Sequence, residues 1–289
     1  MRPYKTTRKV PKPMLLVIIL GMMVLSACEQ DGKAERWYIP DEKVSKDMAA
    51  GDTFILWGNW VCRDFIELAT AKQSVWWVKN RPMFYEIVFK PEYGDSALLI
   101  TGYEDFFVKW TKGADNEYLL KNILPDRDIV LQVPKGMKDL QLTDTLRKQG
   151  KEQIHNWTYG RAPEEYMINN GRYTTAMAGY INNALIKGDY LPAGGGSGIP
   201  VTFEANGIIN GWPLYERYRI CMGGDCYRLT RNPFDVIQLI GSQKTDYYGM
   251  VSTANGDSLY LYRLESEGKE GGDYSYKPQE PLAFKKLPQ

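Results

Sequence analysis

The feature that most constrains the fold of this chain is a series of short β-branched and aromatic runs separated by proline and glycine. Such runs are typical of β-strands, because branched and aromatic side chains pack well on a pleated surface. The runs in the first half of the chain are 53–57, 75–78, 84–89, 97–101, 106–110 and 128–133. This pattern predicts a mainly β fold with antiparallel, sandwich-like sheets and a minor helical insert, with α+β as the alternative.

Strand-like runs return in the second half of the chain, from Tyr173 onward. Two of them flank Asn255-Gly256-Asp257, and an Asn-Gly pair favours the tight turn of a hairpin. The others are 214–221, 226–230 and 236–240. We therefore expect a β-rich N-terminal part, 51–136, and a β-rich C-terminal part, 173–289.

A segment of different composition, 137–172, lies between these two parts. It is rich in charged and amide residues, and its best helix candidates are Leu142–Ile154 and Pro163–Ile168. Pro163 followed by two acidic residues is typical of a first helical turn. We predict a mixed helical segment here. Val61–Lys72 fits a strand or a helix equally well.

The amino-terminal residues have the three zones of a bacterial export signal. A basic stretch without acids precedes an uncharged apolar run, Met14–Leu25, which is shorter than the roughly 20 residues a spanning helix needs. Leu25-Ser26-Ala27-Cys28 then resembles the lipobox of bacterial lipoproteins. The resemblance implies that residues 1–27 are a signal peptide cleaved between Ala27 and Cys28, and that Cys28 carries the lipid, including palmitate.

The same resemblance implies a place for the mature protein. In lipoproteins of this kind an aspartate after the lipidated cysteine favours retention in the inner membrane, and here the next residue is Glu29. We expect a lipid anchor in the outer membrane facing the periplasm, with display at the cell surface left open. Residues 28–50 are polar and predict a tether.

Charge excludes one class of partner. Removal of five positive charges with the signal takes the formal net charge from +1 to −4. The mature chain therefore lacks the overall basic bias of a nucleic-acid-binding protein. Its partners are expected to be the membrane, through the lipid on Cys28, and another protein.

Three cysteines remain once Cys28 is lipidated, and an exported chain favours disulfides. Cys221 and Cys226 flank a short loop, so pairing them across a hairpin is the favoured arrangement, with Cys62 a buried thiol. A bridge from Cys62 to one of the other two, or three free thiols, are the alternatives. No histidine or further cysteine lies near enough in sequence to complete a zinc site.

The sequence offers few of the residue sets that catalysis requires. His155 is its one histidine, which leaves little choice of base for a serine or cysteine nucleophile, and no nucleophile elbow or P-loop is present. Glu104-Asp105 and Glu164-Glu165 are interpreted as solvated acidic pairs. We predict that the chain is not an enzyme and uses no metal or cofactor.

Three arginines are the candidate partner-binding residues. In the expected hairpin, Tyr218 and Ile220 face the core while Arg217, Arg219 and Arg228 share the opposite face, with Arg219 directly across from Arg228. Like charges in this position are destabilising. The face is therefore a solvated surface paired with acids of another strand or a basic patch for an acidic partner.

Two further stretches resemble small proteobacterial lipoproteins. Phe107-Val108-Lys109-Trp110 followed by Ile129–Pro134 is similar to one group, and Ala178–Asn183 with the downstream glycine cluster 194–198 to another. Some of these lipoproteins act as periplasmic immunity proteins of type VI secretion. The resemblance implies a lipid-anchored binding protein that neutralises a secreted antibacterial toxin. The alternative is a structural or assembly lipoprotein of an envelope complex.

Overall fold

The structure is a computed structural model, and it describes a series of ranges that begins after the expected tether. These are residues 56–102, 104–114, 116–124, 127–133, 139–148, 151–169, 172–193, 198–223, 234–253, 255–266, 274–276 and 280–288. The expected signal peptide with Ala27, the lipidated Cys28, the tether 28–50, Cys226 and Arg228 lie outside the described residues.

The chain is mainly β, with antiparallel sheets and little helix, which confirms the predicted fold class. The first eight strands are β1 Gly58–Cys62, β2 Glu86–Phe89, β3 Ser96–Ile100, β4 Asp105–Lys112, β5 Glu117–Leu124, β6 Arg127–Gln132, β7 Leu140–Lys148 and β8 Lys151–Arg161. The others are β9 Ile168–Asn169, β10 Thr174–Thr175, β11 Gly188–Pro192, β12 Val201–Phe203, β13 Ile209–Asn210, β14 Arg217–Ile220, β15 Asp235–Ile240, β16 Thr245–Ser252, β17 Ser258–Ser266, β18 Tyr274–Tyr276 and β19 Leu282–Lys286.

Strands β1 to β8 form a closed antiparallel barrel in which each strand pairs with the next along the chain. The seam joins β1 to β8, with Trp60 opposite Arg161 and Cys62 opposite Tyr159. Alternate residues point inward, and the core side chains include Trp60, Ile87, Leu99, Trp110, Leu120, Leu131, Leu142 and Tyr159. We call this unit the N-terminal barrel.

Strands β2 and β3 are buried on both faces, which explains why their sequences are apolar apart from the buried residues Glu86 and Ser96. Ile87 and Leu99 face the barrel core. On the outer face, Val88, Leu98 and Ile100 form a second cluster, covered by the partly buried side chains Tyr93, Phe107 and Tyr173. Because Tyr173 follows the barrel strands in sequence, this outer face packs against a later part of the chain.

The later strands form a sheet that also curls on itself. Its order is β13-β12-β11-β19-β17-β16-β15-β14, with β18 paired to β17. At its two ends, Ile209 N donates to Glu216 O at 2.8 Å and Tyr218 N donates to Gly207 O at 2.7 Å. An isolated bridge pairs Ile208 with Arg217. Because these bonds join the ends, the C-terminal sheet is a second, nearly closed barrel.

The described residues include two α-helices, α1 at Arg63–Lys72 and α2 at Met177–Leu185. Helix α1 follows β1 directly, which resolves the ambiguous segment Val61–Lys72 as the end of a strand and then a helix. Helix α2 connects the N-terminal barrel to the C-terminal sheet. In the described part of the chain, no helix is long and apolar enough to cross a membrane.

The predicted position of the helical insert is wrong. Leu142–Ile154 lies in strands β7 and β8, where Leu142 packs in the barrel core opposite Trp157. Backbone pairing of β7 with β8 in the closed barrel outweighs the helix propensity of the charged residues in this segment. Of Pro163–Ile168, a single 3-10 turn forms, at Glu164–Tyr166.

A predicted strand at Val75–Val78 is also absent from the structure. The segment is a turn in which Val78 N donates to Val75 O at 3.3 Å and Trp77 N donates to the Ser74 hydroxyl. Trp76 and Trp77 therefore do not occupy opposite faces of a sheet. Trp77 is 53 % exposed, while Trp76 is partly buried.

The cysteines separate into one buried thiol and one disulfide partner. Cys62 is free and buried in the N-terminal barrel, and burial raises the pKa of its thiol to about 12. Cys221 is disulfide-bonded. The buried Cys62 thiol is as predicted, and a bridge from Cys62 to Cys221 is excluded. The expected partner, Cys226, is outside the described residues.

The loop after β14 fastens the C-terminal sheet to the N-terminal barrel. The Met222 carbonyl accepts hydrogen bonds from Arg81 Nη1 at 2.6 Å and from the Tyr85 hydroxyl at 3.0 Å. Trp76 N donates to Asp235 Oδ1 at 2.6 Å. These bonds hold the outer faces of the two units in a fixed relation.

Candidate functional site

A cavity of about 270 Å³ lies between the outer face of the N-terminal barrel and the outer face of the C-terminal sheet. Helix α2 supplies part of its wall. We call it the inter-barrel cleft. The lining residues that carry its polar chemistry are Glu86, Asp105, Asn182, Arg217, Arg219 and Gln238.

The wall from the C-terminal sheet is basic. Arg217 and Arg219 are exposed on β14, while Tyr218 and Ile220 between and after them are buried, which confirms the predicted division of faces. Because alternate residues of a strand share a face, the two guanidinium groups project from the same side of the sheet. Among the described residues neither guanidinium has a hydrogen bond or an ion pair.

The predicted position of Arg228 across from Arg219 lies outside the described residues. Among the described strands, Gln238 of β15 lies opposite Arg219. Gln238 is in turn held by a hydrogen bond between its Nε2 and the Tyr247 hydroxyl at 3.2 Å.

The wall from the N-terminal barrel is acidic. Glu86, Ile100 and Asp105 are register partners across β2, β3 and β4, so their side chains form one row. Their strand neighbours Ile87 and Leu99 face the core, which places the row on the outside of the barrel. The cleft thus has carboxylates on one wall and guanidinium groups on the other.

Glu86 is fully buried where the barrel meets the amino terminus of helix α2. Its carboxylate accepts hydrogen bonds from Asn59 Nδ2 at 2.5 Å and from the backbone N–H groups of Ala176 and Met177, each at 2.9 Å. Burial raises the pKa of Glu86 to about 7, although these hydrogen bonds lower it. Glu86 therefore joins the barrel to the helix and titrates near neutral pH.

Asp105 is partly buried and accepts a hydrogen bond from the Tyr173 hydroxyl. Burial raises the pKa of Asp105, against the Tyr173 hydrogen bond and the positive charge of Arg219, both of which lower it. Arg219 is therefore close enough to act on Asp105 across the cleft, although the two form no ion pair within the described part of the chain.

Asn182 of helix α2 brings a buried amide to the cleft. Its Nδ2 donates to the Ala205 carbonyl at 3.0 Å. Its Oδ1 is buried and has no hydrogen-bond partner among the residues described. Buried polar atoms are nearly always paired, so this acceptor requires an explanation.

Apolar side chains lie next to the basic wall. Ile208 is 41 % exposed and pairs with Arg217 across the seam of the C-terminal sheet, so the two side chains share a face. Leu214, in the connection to β14, is 59 % exposed. An exposed apolar residue beside unpaired arginines is typical of a surface that binds a protein.

Sequence reasoning found part of this site. It singled out Arg217 and Arg219, which the fold brings into the cleft. It correctly interpreted Glu164 and Glu165 as exposed, but it placed Asp105 on a solvated face, where the structure has it partly buried in the cleft wall.

Glu86 and Asn182 were missed. The usable signal was a single charged residue inside the apolar run Phe84–Phe89, and a pair of amides, Asn182 and Asn183, inside the otherwise apolar helix α2.

Comparison with protein-family models, curated proteins and solved structures gives no match. The described residues contain no cluster of three histidine, cysteine or carboxylate side chains with metal-binding geometry.

Proposed function

We propose that this chain is a lipid-anchored binding protein of the bacterial envelope, without catalytic activity, and that its partner is a secreted antibacterial toxin. The observation that carries the proposal is a pair of arginines, Arg217 and Arg219, that line the cleft without an ion pair among the described residues, with exposed Ile208 across from Arg217. The lipobox resemblance at Cys28 supports the location, and the similarity to immunity lipoproteins supports the kind of partner.

The arrangement suits binding because its parts are held in place before a partner arrives. The strands on either side of β14 fix the two arginines, and the Met222 contacts fix the sheet against the barrel. A preorganised surface loses less conformational entropy on association than a flexible one. Unpaired guanidinium groups favour an acidic partner surface and accelerate its approach.

The test is protection of cells. The full chain is co-expressed with each toxin encoded beside its gene, and survival is compared with a double variant, Arg217→Glu with Arg219→Glu. We expect the unmodified chain to protect against one toxin, and the double variant to lose that protection because it repels an acidic partner.

The matched control is Lys79→Glu with Lys187→Glu, which makes the same change of charge at exposed positions outside the cleft lining. This control is expected to protect as the unmodified chain does. Failure of the unmodified chain to protect against every neighbouring toxin would refute the immunity proposal. Copurification of a stable multi-protein envelope assembly instead would favour a structural role.

A further inference from the structure

We infer that the inter-barrel cleft is a site for a small zwitterion, an α-amino acid or a short peptide, with its carboxylate on Arg217 and Arg219 and its ammonium group toward Asp105 and Asn182. The inference rests on the proposed binding role of the same cleft. It goes beyond that role by giving the chemical class of a small ligand.

Opposite charges on the two walls of the cleft favour a ligand that carries both charges. Carboxylates line the barrel side and guanidinium groups line the sheet side, so the cleft has opposite charges on opposite walls. A simple anion would be attracted by one wall and repelled by the other. A ligand that carries both charges satisfies both walls at once, because each of its ends meets the opposite sign.

The spacing of Arg217 and Arg219 favours a carboxylate on the basic wall. Two residues apart on a strand, their Cα atoms are about 7 Å apart and their side chains share a face. Guanidinium groups bind carboxylates through parallel N–H donors, and they have no competing ion pair in the described part of the structure. This wall is therefore built to receive a carboxylate.

A buried hydrogen-bond acceptor on helix α2, Asn182 Oδ1, independently favours a ligand with N–H donors. Asn182 is 1 % exposed, its Nδ2 is already bonded to Ala205, and its Oδ1 has no partner among the described residues. An ammonium group carries three donors and no acceptor, so it complements the Asp105 carboxylate, and the unpaired amide oxygen of Asn182 in the lining favours a ligand that brings donors. A ligand without a donor would leave the acceptor unpaired.

The size of the cleft limits the ligand. Its volume of about 270 Å³ lies near the lower end of the roughly 300–1,000 Å³ that small-molecule pockets have. This suits an amino acid or a dipeptide of small residues.

The experiment is isothermal titration calorimetry on the full chain purified in detergent. The probes are the common α-amino acids, D-alanine and glycylglycine, with acetate and methylammonium as single-charge references. We expect saturable binding of at least one zwitterion and at least tenfold weaker binding of both references. Preference for an amino acid or for the dipeptide distinguishes a free amino acid from a peptide as the source.

Three variants test the assignment of the walls. Arg219→Gln is expected to weaken zwitterion binding about tenfold or more, as loss of a charged hydrogen bond does. Asp105→Asn is expected to weaken it similarly while leaving acetate binding no weaker. Ala178→Met, which fills the cleft without changing its charge, is expected to abolish binding. Lys187→Gln and Glu67→Gln, at exposed positions, are the matched controls and should leave affinity unchanged.

Absence of binding by every probe would overturn the inference. Equal binding of acetate and a zwitterion would also overturn it, as would unchanged affinity in Arg219→Gln. These readouts are separate from toxin protection, so failure of the ligand inference and failure of the immunity proposal are distinguishable.

Discussion

At the scale of single residues, the most constrained side chain is Glu86. Three N–H donors converge on its carboxylate, two of them from the first turn of helix α2, so the charged form is well coordinated. Full burial opposes this by removing the charge from water. The balance leaves a carboxyl group with a pKa of about 7 at the junction of barrel and helix.

Glu86 is predicted to make stability depend on pH. Because its pKa in the folded chain is raised from 4.5 to about 7, its contribution is fully present below pH 4.5 and is lost as pH rises through 7. We expect the free energy of unfolding of the unmodified chain, relative to Glu86→Gln, to fall by about 3 kcal/mol across this window. Urea unfolding at a series of pH values measures the difference.

The control for this prediction is Glu67→Gln, at an exposed position on helix α1. Its difference from the unmodified chain should stay flat over the same pH range. A flat difference for Glu86→Gln as well would show that Glu86 does not titrate there.

At the scale of elements, the sequence predicts strands well and helices poorly. The runs at 84–89, 97–101 and 236–240 are strands because apolar side chains on a sheet leave a direct trace in sequence. The segment Leu142–Ile154 misleads because it is rich in charged and amide residues of good helix propensity, although its backbone pairs as strands. The cleft is less predictable still, because Glu86 and Arg217 line it together only through the packing of strands that are distant in sequence.

Helix α2 is predicted to tolerate no side chain at Gly179. A Cβ there would lie 2.2 Å from the Tyr166 carbonyl oxygen, so helix and turn would have to separate. Gly→Ala within a helix ordinarily stabilises by about 1 kcal/mol. Here we expect Gly179→Ala to destabilise by about 1–3 kcal/mol, as overpacking does. Thermal and urea unfolding measure the change.

Asn183→Ala in the same helix is the matched control, because Asn183 is only partly buried. It should cause no loss of stability. A stabilising effect of Gly179→Ala would mean that the helix does not pack against the turn at Tyr166.

At the scale of the whole molecule, polar contacts join the two curled sheets beside an apolar core cluster that contains residues of both. The contacts at Met222 and Asp235 connect residues far apart in sequence. Gly102 and Gly223 also approach closely, since a Cβ on either would lie within about 3.2 Å of the other residue's backbone. The cleft keeps its shape only while these contacts hold.

The coupling is predicted to depend on the Met222 carbonyl. Arg81→Met with Tyr85→Phe removes both of its side-chain donors while keeping most of the side-chain volume. Arg81 Nη2 also loses its bond to the Val75 carbonyl. We expect the free energy of unfolding to decrease by about 4–7 kcal/mol, the sum expected for two charged hydrogen bonds and one neutral one. Differential scanning calorimetry should show one transition in the unmodified chain and two in the variant.

Lys79→Met is the control and should retain the single transition, because Lys79 is exposed. An unchanged transition in the double variant would indicate that the apolar contacts alone couple the two units.

One late strand joins two strands of the C-terminal sheet that are far apart in sequence. Strand β19 lies between β11 and β17, and Leu287 N still donates to Asp189 O at 2.7 Å. Strands β11 and β17 are therefore both synthesised before β19 joins them. Removal of β19 would leave two exposed strand edges, one on β11 and one on β17, and edges of this kind pair with other chains.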